Sequence, residues 1–488
     1  MKHIYILVLT LFVFISGYSL ELLIVHTNDH HGNLFNYTFN NNDVPGLAER
    51  AFIIKNMINN HPNYLLLDAG DMNTGQYESR KHDAEPDIKA YNIMGYHAVT
   101  IGNHEFYAGF DRLKKQIEWA EFPFLCANIT YNDGTPVGVP YIIKTMPNGL
   151  KVAIFGLTTP TLETSMPTLM DRLVILDEVD VAQKLVPELR KQADIVIALT
   201  HLGIAHTDPA SLPFPFSMMV EIASIRLAKR VSGIDLIIDG HSHTVLEKPI
   251  IVNNTPIVQA GERGRYIGKA ILEVSPNTKK VTLKEWESIT LMQPKGHNFK
   301  IDVEVFNYLS QFRSNATEQV IGKSGELLTV KDIRNQPTPL GRFVSDAFMN
   351  AVKELKPDLA ITNSGGIRSD IPKGDIRVVD VYNVLPFENT LVMVDLTGTA
   401  LIEIINHSLS NAINTGGFMQ FSSNVTVSRD SVIINRMPVN PVKVYKVVTN
   451  SYTASGGDGY RQFSEALRRV ETGIVDKQAL LQFIISNY

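Results

Sequence analysis

Five short apolar runs in the first half of the chain each break off into a polar loop carrying Asp, Asn or His. Residues 22–27 lead into Asn28-Asp29-His30-His31-Gly32, and residues 64–67 into Asp68-Ala69-Gly70-Asp71. Residues 98–101 precede Gly102-Asn103-His104-Glu105, residues 195–200 precede His201-Leu202-Gly203, and residues 236–238 precede Asp239-Gly240-His241-Ser242-His243. Short Val, Ile and Leu runs bounded by Gly and Asp have the pattern of buried strands. Helical periodicity at residues 47–58, 86–94 and 179–191 fills the intervals. The alternation predicts an α/β sheet, whose ligands bind outside the carboxyl ends of the strands. One such Asp or His is ordinarily a cap or a satisfied core group. Five in succession predict a single convergent site.

The donor types narrow the chemistry. Asp, Asn and His without Cys suit a borderline-hard divalent pair such as Zn²⁺, Mn²⁺ or Co²⁺, and seven groups suffice for two cations if one carboxylate bridges them. Cys126, the single cysteine, follows an apolar stretch and is read as a buried inert thiol; no disulfide within the chain is possible. The net charge of -5 leaves no basic footprint for polymeric nucleic acid. A small anionic substrate must then be drawn in locally, by bound cations.

At 488 residues, 44% hydrophobic, the chain is long enough for more than one domain. Lys2 and His3, the apolar residues 4–15, and Gly17 and Ser19 read as an export signal cleaved after about Ser19. The apolar run is shorter than the roughly 20 residues a membrane-spanning helix needs, and no Cys follows for a lipid anchor. After Gly264 the pattern changes to short strands with turns, at residues 269–274 and 281–286. Pro and Gly at residues 293–298 mark a domain exit, and residues 301–317 read as a helix with Val305, Leu309 and Phe312 on one face. From Gly322 a second unit mixes helices (341–355, 399–411) with strands (391–396, 445–450).

Taken in order and spacing, Asp29-His30-His31, Gly70-Asp71-Met72-Asn73-Thr74-Gly75, Gly102-Asn103-His104-Glu105, Thr200-His201 and Gly240-His241-Ser242-His243 resemble the calcineurin-like metallophosphoesterases. Within them the chain resembles the 5′-nucleotidase / UDP-sugar hydrolase family over nearly its whole mature length. The resemblance implies an α/β (α+β) molecule: a signal peptide at 1–19, a four-layer αββα metallophosphoesterase domain at 20–296, a linker helix at 297–319 and a mixed α/β substrate-binding domain at 320–488. It implies two divalent metal ions, one held by Asp29, His31, Asp71 and His243, the other by Asp71, Asn103, His201 and His241. His104 matches the family's catalytic histidine, which contacts phosphate. His30, between two ligands, is expected to point elsewhere. The family usually pairs its histidine with an Asp three residues later, where this chain has Tyr107; Asp111 is an alternative partner if the loop brings it to His104.

The second unit carries matching motifs. Asn363-Ser364-Gly365-Gly366-Ile367-Arg368 resembles the family's substrate loop, with Asn363 and Arg368 as substrate residues and Arg334 as a second substrate arginine. Phe387 and Tyr452 match an aromatic clamp for a nucleobase, and Asp458, in Gly-Gly-Asp-Gly-Tyr, would accept hydrogen bonds from ribose hydroxyls. The expected activity is removal of phosphate from nucleotides, with nucleoside di- and triphosphates and UDP-sugars as further substrates. Two alternatives stand beside it: a 2′,3′-cyclic phosphodiesterase / 3′-nucleotidase, towards which Tyr107-Ala108-Gly109-Phe110 leans, and a nucleotide-binding surface protein with weak catalysis.

Overall fold

The computed structural model describes residues 19–488 apart from 40–41, 74, 108, 161, 163–170, 205–222, 314–318, 388, 411 and 429–430. The expected signal segment, Ser19 apart, lies outside the described residues. Among those described, no helix is long and apolar enough to cross a membrane.

Two six-stranded sheets build the N-terminal half. The first runs, in spatial order, Val281–Thr290, Tyr266–Val274, Leu20–Thr27, Tyr64–Asp68, Ala98–Thr100 and Phe124–Leu125. The second runs Ile250–Val252, Thr255–Val258, Leu236–Ile238, Ile195–His201, Lys151–Thr158 and Tyr141–Thr145. Successive side chains of a strand leave opposite faces of its sheet, and the apolar runs supply both faces. Leu22, Ile24, Leu65 and Leu67 pack with Ile154, Ile197 and Leu199 in one cluster. Leu23, Val25 and Leu66 instead meet the helices Leu47–Ile58 and Glu85–Met94. On the second sheet, Phe155, Val196 and Ala198 meet the helix Glu178–Arg190. The result is four layers, helix, sheet, sheet, helix, as expected from the family resemblance.

The strands carrying the five loops pair in parallel within each sheet, for example Leu23 opposite Tyr64 and Ile197 opposite Leu236. Their carboxyl ends therefore share an edge. At the seam between the sheets the backbones nearly touch: a Cβ on Gly156 would lie 2.5 Å from the Leu125 carbonyl carbon, and Ala127 donates its N–H to the Gly156 carbonyl at 2.9 Å.

Two expectations need correction. The segments after Gly264 are not short strands of a new pattern but nine- and ten-residue strands, Tyr266–Val274 and Val281–Thr290. They form an antiparallel hairpin on the edge of the first sheet, beside Leu20–Thr27. Their half-buried alternation weakened the sequence signal. The helix expected over residues 301–317 is shorter, Val303–Ser310. Asp302 caps it, and the side chains of Ser310 and Gln311 bond the carbonyls of Phe306 and Tyr308, closing the last turn. Val305 and Leu309 pack into the N-terminal core.

In the C-terminal half a five-stranded mixed sheet runs Met419–Phe421, Leu359–Asn363, Val444–Asn450, Thr390–Thr397 and Arg468–Val475. The helices Pro339–Ala351 and Asp476–Asn487 cover one face and Gly398–Ser410 the other. Leu359–Asn363 and Val444–Asn450 are parallel, so the loops holding Arg368 and Tyr452 leave the same edge. The two halves meet through Tyr77 and Tyr382, with ring centroids 4.8 Å apart, and through Arg80, which donates to the Pro386 carbonyl at 2.6 Å.

Because the neighbour of Gly156 is backbone and cannot move aside, Gly156→Val is expected to destabilise the fold by about 3 kcal/mol, the upper end of overpacking costs. Urea unfolding checks this; a change below about 0.5 kcal/mol would contradict the tight seam.

Candidate metal centre and substrate site

Local backbone, before any side chain is considered, marks out the site. Asp29, His31, Asp71, His241 and His243 all have φ between 49° and 74°. Left-handed backbone at a non-glycine residue costs about 1 kcal/mol or more, and such residues cluster where a turn must aim a side chain. Each of these turns is stitched to a neighbour. Asp29 and His31 donate their N–H groups to the carbonyls of Gly70 and Asp71, at 2.9 Å each. His241 donates its N–H to the Asp29 carboxylate at 3.1 Å.

The expected side chains converge. One group is Asp29, His31 and His243; another is Asp71, His201 and His241; His31, Asp71 and His104 form a third between them. In each, the donor atoms lie within 4.8 Å of one another. His243 Nε2 lies 3.2 Å from Asp29, and His201 Nε2 lies 3.1 Å from Asp71. Asn103 turns its amide oxygen to His241 at 2.9 Å and His201 at 3.2 Å. His31 and His243 point Nε2 atoms at each other across 3.0 Å.

The donor set fits divalent cations. Two buried carboxylates and several imidazoles aim their donor atoms into shared space, and the outer nitrogens are already engaged. His201 Nδ1 bonds the Ala69 carbonyl at 2.7 Å, and His243 Nδ1 faces the Glu262 carboxylate at 2.9 Å. Metal-ligating histidines are held in this way, which fixes the tautomer that presents Nε2. Charge within the cluster is steeply divided. Burial opposes ionisation of Asp71, yet His201, His104 and His31 hold its carboxyl well below the usual range. Burial also opposes charge on His201, but Asp71 pushes it up to about 10. His104 is drawn down to about 3, by burial and then by the nearby Arg368, His243 and His201, against Asp71.

His30 turns away from this cluster, its Nε2 at 2.9 Å from Asp87 and its Nδ1 at 3.0 Å from Arg50. Tyr107 ends the short helix His104–Tyr107, and its side chain lies outside the described residues. Asp111 is exposed in the first turn of the helix Phe110–Trp119.

From the C-terminal half, Phe387 brings its ring to 5.6 Å from His104, and the Arg368 guanidinium lies 5.4 Å from the Phe387 ring centre. Asn363, Tyr452 and Asp458 form a second knot: the Asp458 carboxylate accepts from Asn363 Nδ2 at 3.2 Å and from the Tyr452 hydroxyl at 3.0 Å. Burial raises the Asp458 carboxyl, while these bonds and Arg334 and Arg368 oppose the rise. Arg334 and Arg368 line one cavity with His243, so candidate substrate residues of one half reach ligand candidates of the other.

Four residues escaped the sequence reading. Glu105 accepts the N–H groups of Asp71, Met72, Asn73 and Gly102, at 3.0, 2.8, 3.3 and 2.7 Å. Asp239 accepts those of Leu202 and Gly203 and the Thr200 hydroxyl. Both stand inside quoted motifs, beside ligand candidates, and that adjacency was the available signal. Glu262 and Arg263 follow the strand Thr255–Val258, but the loop Gln259-Ala260-Gly261-Glu262-Arg263 carries no Asp, Asn or His, so the pattern of the other five does not mark it. Replacing Glu105 by Ala strands four buried donors, so unfolding in urea is expected to show a loss of about 3 kcal/mol or more. A loss under 1 kcal/mol would mean water replaces the carboxylate.

Comparison with known proteins agrees with this geometry. Residues 22–245 match the calcineurin-like phosphoesterase model and residues 320–465 the 5′-nucleotidase C-terminal domain model. The chain is 32% identical to the 5′-nucleotidase of Vibrio cholerae, over 96% of this chain and 90% of that protein. It is 30% identical to the protein UshA of Escherichia coli, over 95% of this chain and 90% of that one. The solved structure of a 5′-nucleotidase precursor from Thermus thermophilus superposes with a TM-score of 0.83 at 27% identity, covering 96% of both chains. A phosphoesterase domain of strand-end Asp, Asn and His, followed by a nucleotidase C-terminal domain, places this chain in the 5′-nucleotidase family of metal-dependent phosphoester hydrolases.

Proposed function

We propose that this chain is an exported phosphomonoesterase that releases phosphate from nucleoside 5′-monophosphates. Asp29, His31, Asp71 and His243 would hold one divalent cation and Asp71, Asn103, His201 and His241 the other, with Zn²⁺, Mn²⁺ or Co²⁺ suited to the donors. The observation carrying the reading is the convergence of these side chains with His104, whose ring lies 5.6 Å from Phe387 of the other half, itself 5.4 Å from the Arg368 guanidinium. When bound, the cation pair neutralises phosphoryl charge and activates the attacking water. His104 is positioned to contact the phosphoryl group and stabilise charge on the departing oxygen. Arg368 and Arg334 bind substrate oxyanions, Phe387 and Tyr452 stack on the base, and Asp458, oriented by Asn363, accepts from ribose hydroxyls. Residues 20–296 would thus carry the metals, 297–319 the linker, and 320–488 the nucleoside. Residues 1–19 would direct the chain to the periplasm or the medium.

Asp71→Asn removes the charge both cations share. Bound metal, read by atomic absorption, is expected to fall, and phosphate release from AMP to drop by about 100-fold or more. Near-normal release by this variant, or by the parent in excess chelator, would end the two-metal reading.

Stacking binds ground and transition states alike. Phe387→Ala and Tyr452→Ala should therefore raise KM for AMP roughly tenfold, from about 1–3 kcal/mol per stacked base, with less effect on kcat. A small aryl phosphate should be hydrolysed almost as before; equal losses on both substrates would assign these rings to the core.

A further inference from the structure

The cavity between the two halves, about 260 Å³, is lined by His243, Glu262 and Arg263 from one side and Asp332, Arg334 and Arg368 from the other. Pockets for whole drug-sized ligands run roughly 300–1,000 Å³, so this one suits part of a substrate. Its charge is unbalanced. Glu262 is shared among His243 at 2.9 Å, Arg265, and Arg263 at a longer 3.4 Å. Asp332 is exposed on the far wall. Arg263, Arg334 and Arg368 thus line the space with the engaged carboxylate of Glu262, while Asp332 and Arg334 are both exposed; the remaining excess of positive charge is complementary to a further oxyanion.

Arg263 is held there at a cost. Its backbone is left-handed, φ 53°, and it cannot relax easily. Its N–H donates to the Asp29 carbonyl at 2.7 Å, and its own carbonyl accepts from the Tyr37 hydroxyl at 3.0 Å. Gly264 follows directly over Arg50, where a Cβ would lie 2.6 Å from the guanidinium carbon. The Arg263 side chain is only 14% exposed. A buried arginine held in left-handed backbone on the cavity wall is fixed where it can meet an oxyanion.

The order of groups says which anion. His243 belongs both to the Asp29–His31 cluster and to the cavity wall. On the other wall, Arg368 ends the loop that begins at Asn363, whose amide donates to Asp458 at 3.2 Å. The cavity thus lies between the cluster that would hold the scissile phosphate and the carboxylate that would hold ribose. We propose that Arg263, with Arg368 and Arg334, binds the phosphate next to the scissile one, making Arg263 the residue that selects nucleoside diphosphates over monophosphates. This rests on the nucleotidase reading above. In the reaction, water oxygen bonds to the β-phosphorus and the bond from that phosphorus to the bridging oxygen breaks. The bridging oxygen leaves on the monophosphate, whose charge the arginines stabilise; the proton of the water passes to solvent or to the products.

The test compares kcat/KM for ADP, AMP and an aryl phosphate in the metal-loaded full-length parent, Arg263→Gln and Arg263→Lys. Calorimetric affinity for α,β-methylene-ADP, which is not cleaved at the bridge, is measured alongside. Arg263→Gln should lower kcat/KM for ADP at least tenfold more than for AMP and weaken the analogue at least tenfold. Arg263→Lys, which keeps charge but loses the planar fork, should fall between parent and Gln. Equal losses on ADP and AMP, or unchanged affinity for the analogue, would overturn the proposal. Should Arg263→Gln fail to fold, as read by its melting transition, Arg263→Lys decides alone: an ADP-selective loss of threefold or more supports the role and an unselective one refutes it. A parent that hydrolyses no nucleotide would sink the nucleotidase reading instead, and calorimetry would still judge Arg263.

Discussion

The buried carboxylate of Asp71 organises the molecule around it. Its oxygens lie 3.1 Å from His201, 3.8 Å from His104 and 3.9 Å from His31, and one accepts the His104 backbone N–H at 2.8 Å. Burying such a charge costs several kcal/mol unless it is compensated on all sides. Compensation here comes from strand ends of both sheets, so the sheets must be stacked with their carboxyl edges aligned. The same demand fixes the glycines. A Cβ on Gly102 would lie 2.2 Å from Asp71 Oδ1, and one on Gly70 would lie 2.9 Å from His201 Nδ1. Neither position can carry a side chain while the loops stay this close.

Strain and support are matched around that charge. The left-handed turns at Asp29, Asp71, His241 and His243 would relax if free, and acidic residues one step removed prevent it. Glu105 collects the amides of the Asp71 loop, Asp239 those after His201, and Glu262 fixes the His243 ring. A second support lies deeper, where His30, Arg50, Asp87 and Ser79 bond one another beneath the Asp29–His31 turn. All of these supports lie within the N-terminal half. Across the boundary, Tyr77 and Arg80 meet Tyr382 and Pro386, and His104 meets Phe387.

Much of this was legible in the amino-acid order. Five apolar runs ending in Asp, Asn or His and separated by helices predict parallel strands with a shared polar edge, because strands alternating with helices leave few other topologies. The helices at Leu47–Ile58, Glu85–Met94 and Glu178–Arg190 follow from periodicity in the same way. His30 turns away as expected, but through the left-handed turns at Asp29 and His31 and its bonds to Asp87 and Arg50 rather than through strand alternation. The C-terminal motifs that carry the family resemblance include Arg368, Phe387, Tyr452 and Asp458, the residues proposed above to bind substrate.

What no local pattern holds is which groups share space across the sheets and between the halves. The long hairpin Tyr266–Val274 and Val281–Thr290 joins the first sheet only because Leu20–Thr27 leaves an edge to fill. The helix Val303–Ser310 stops where its own side chains take the last carbonyls. Glu262 and Arg263 acquire meaning only when their loop is pinned to Asp29 and faces Arg368 from a domain distant in sequence. Strand, turn and donor type are set by neighbours along the chain, whose steric and hydrogen-bonding preferences act over a few residues. The charge balance of the cavity sums groups brought together from remote parts of the chain, and only the folded arrangement performs that sum.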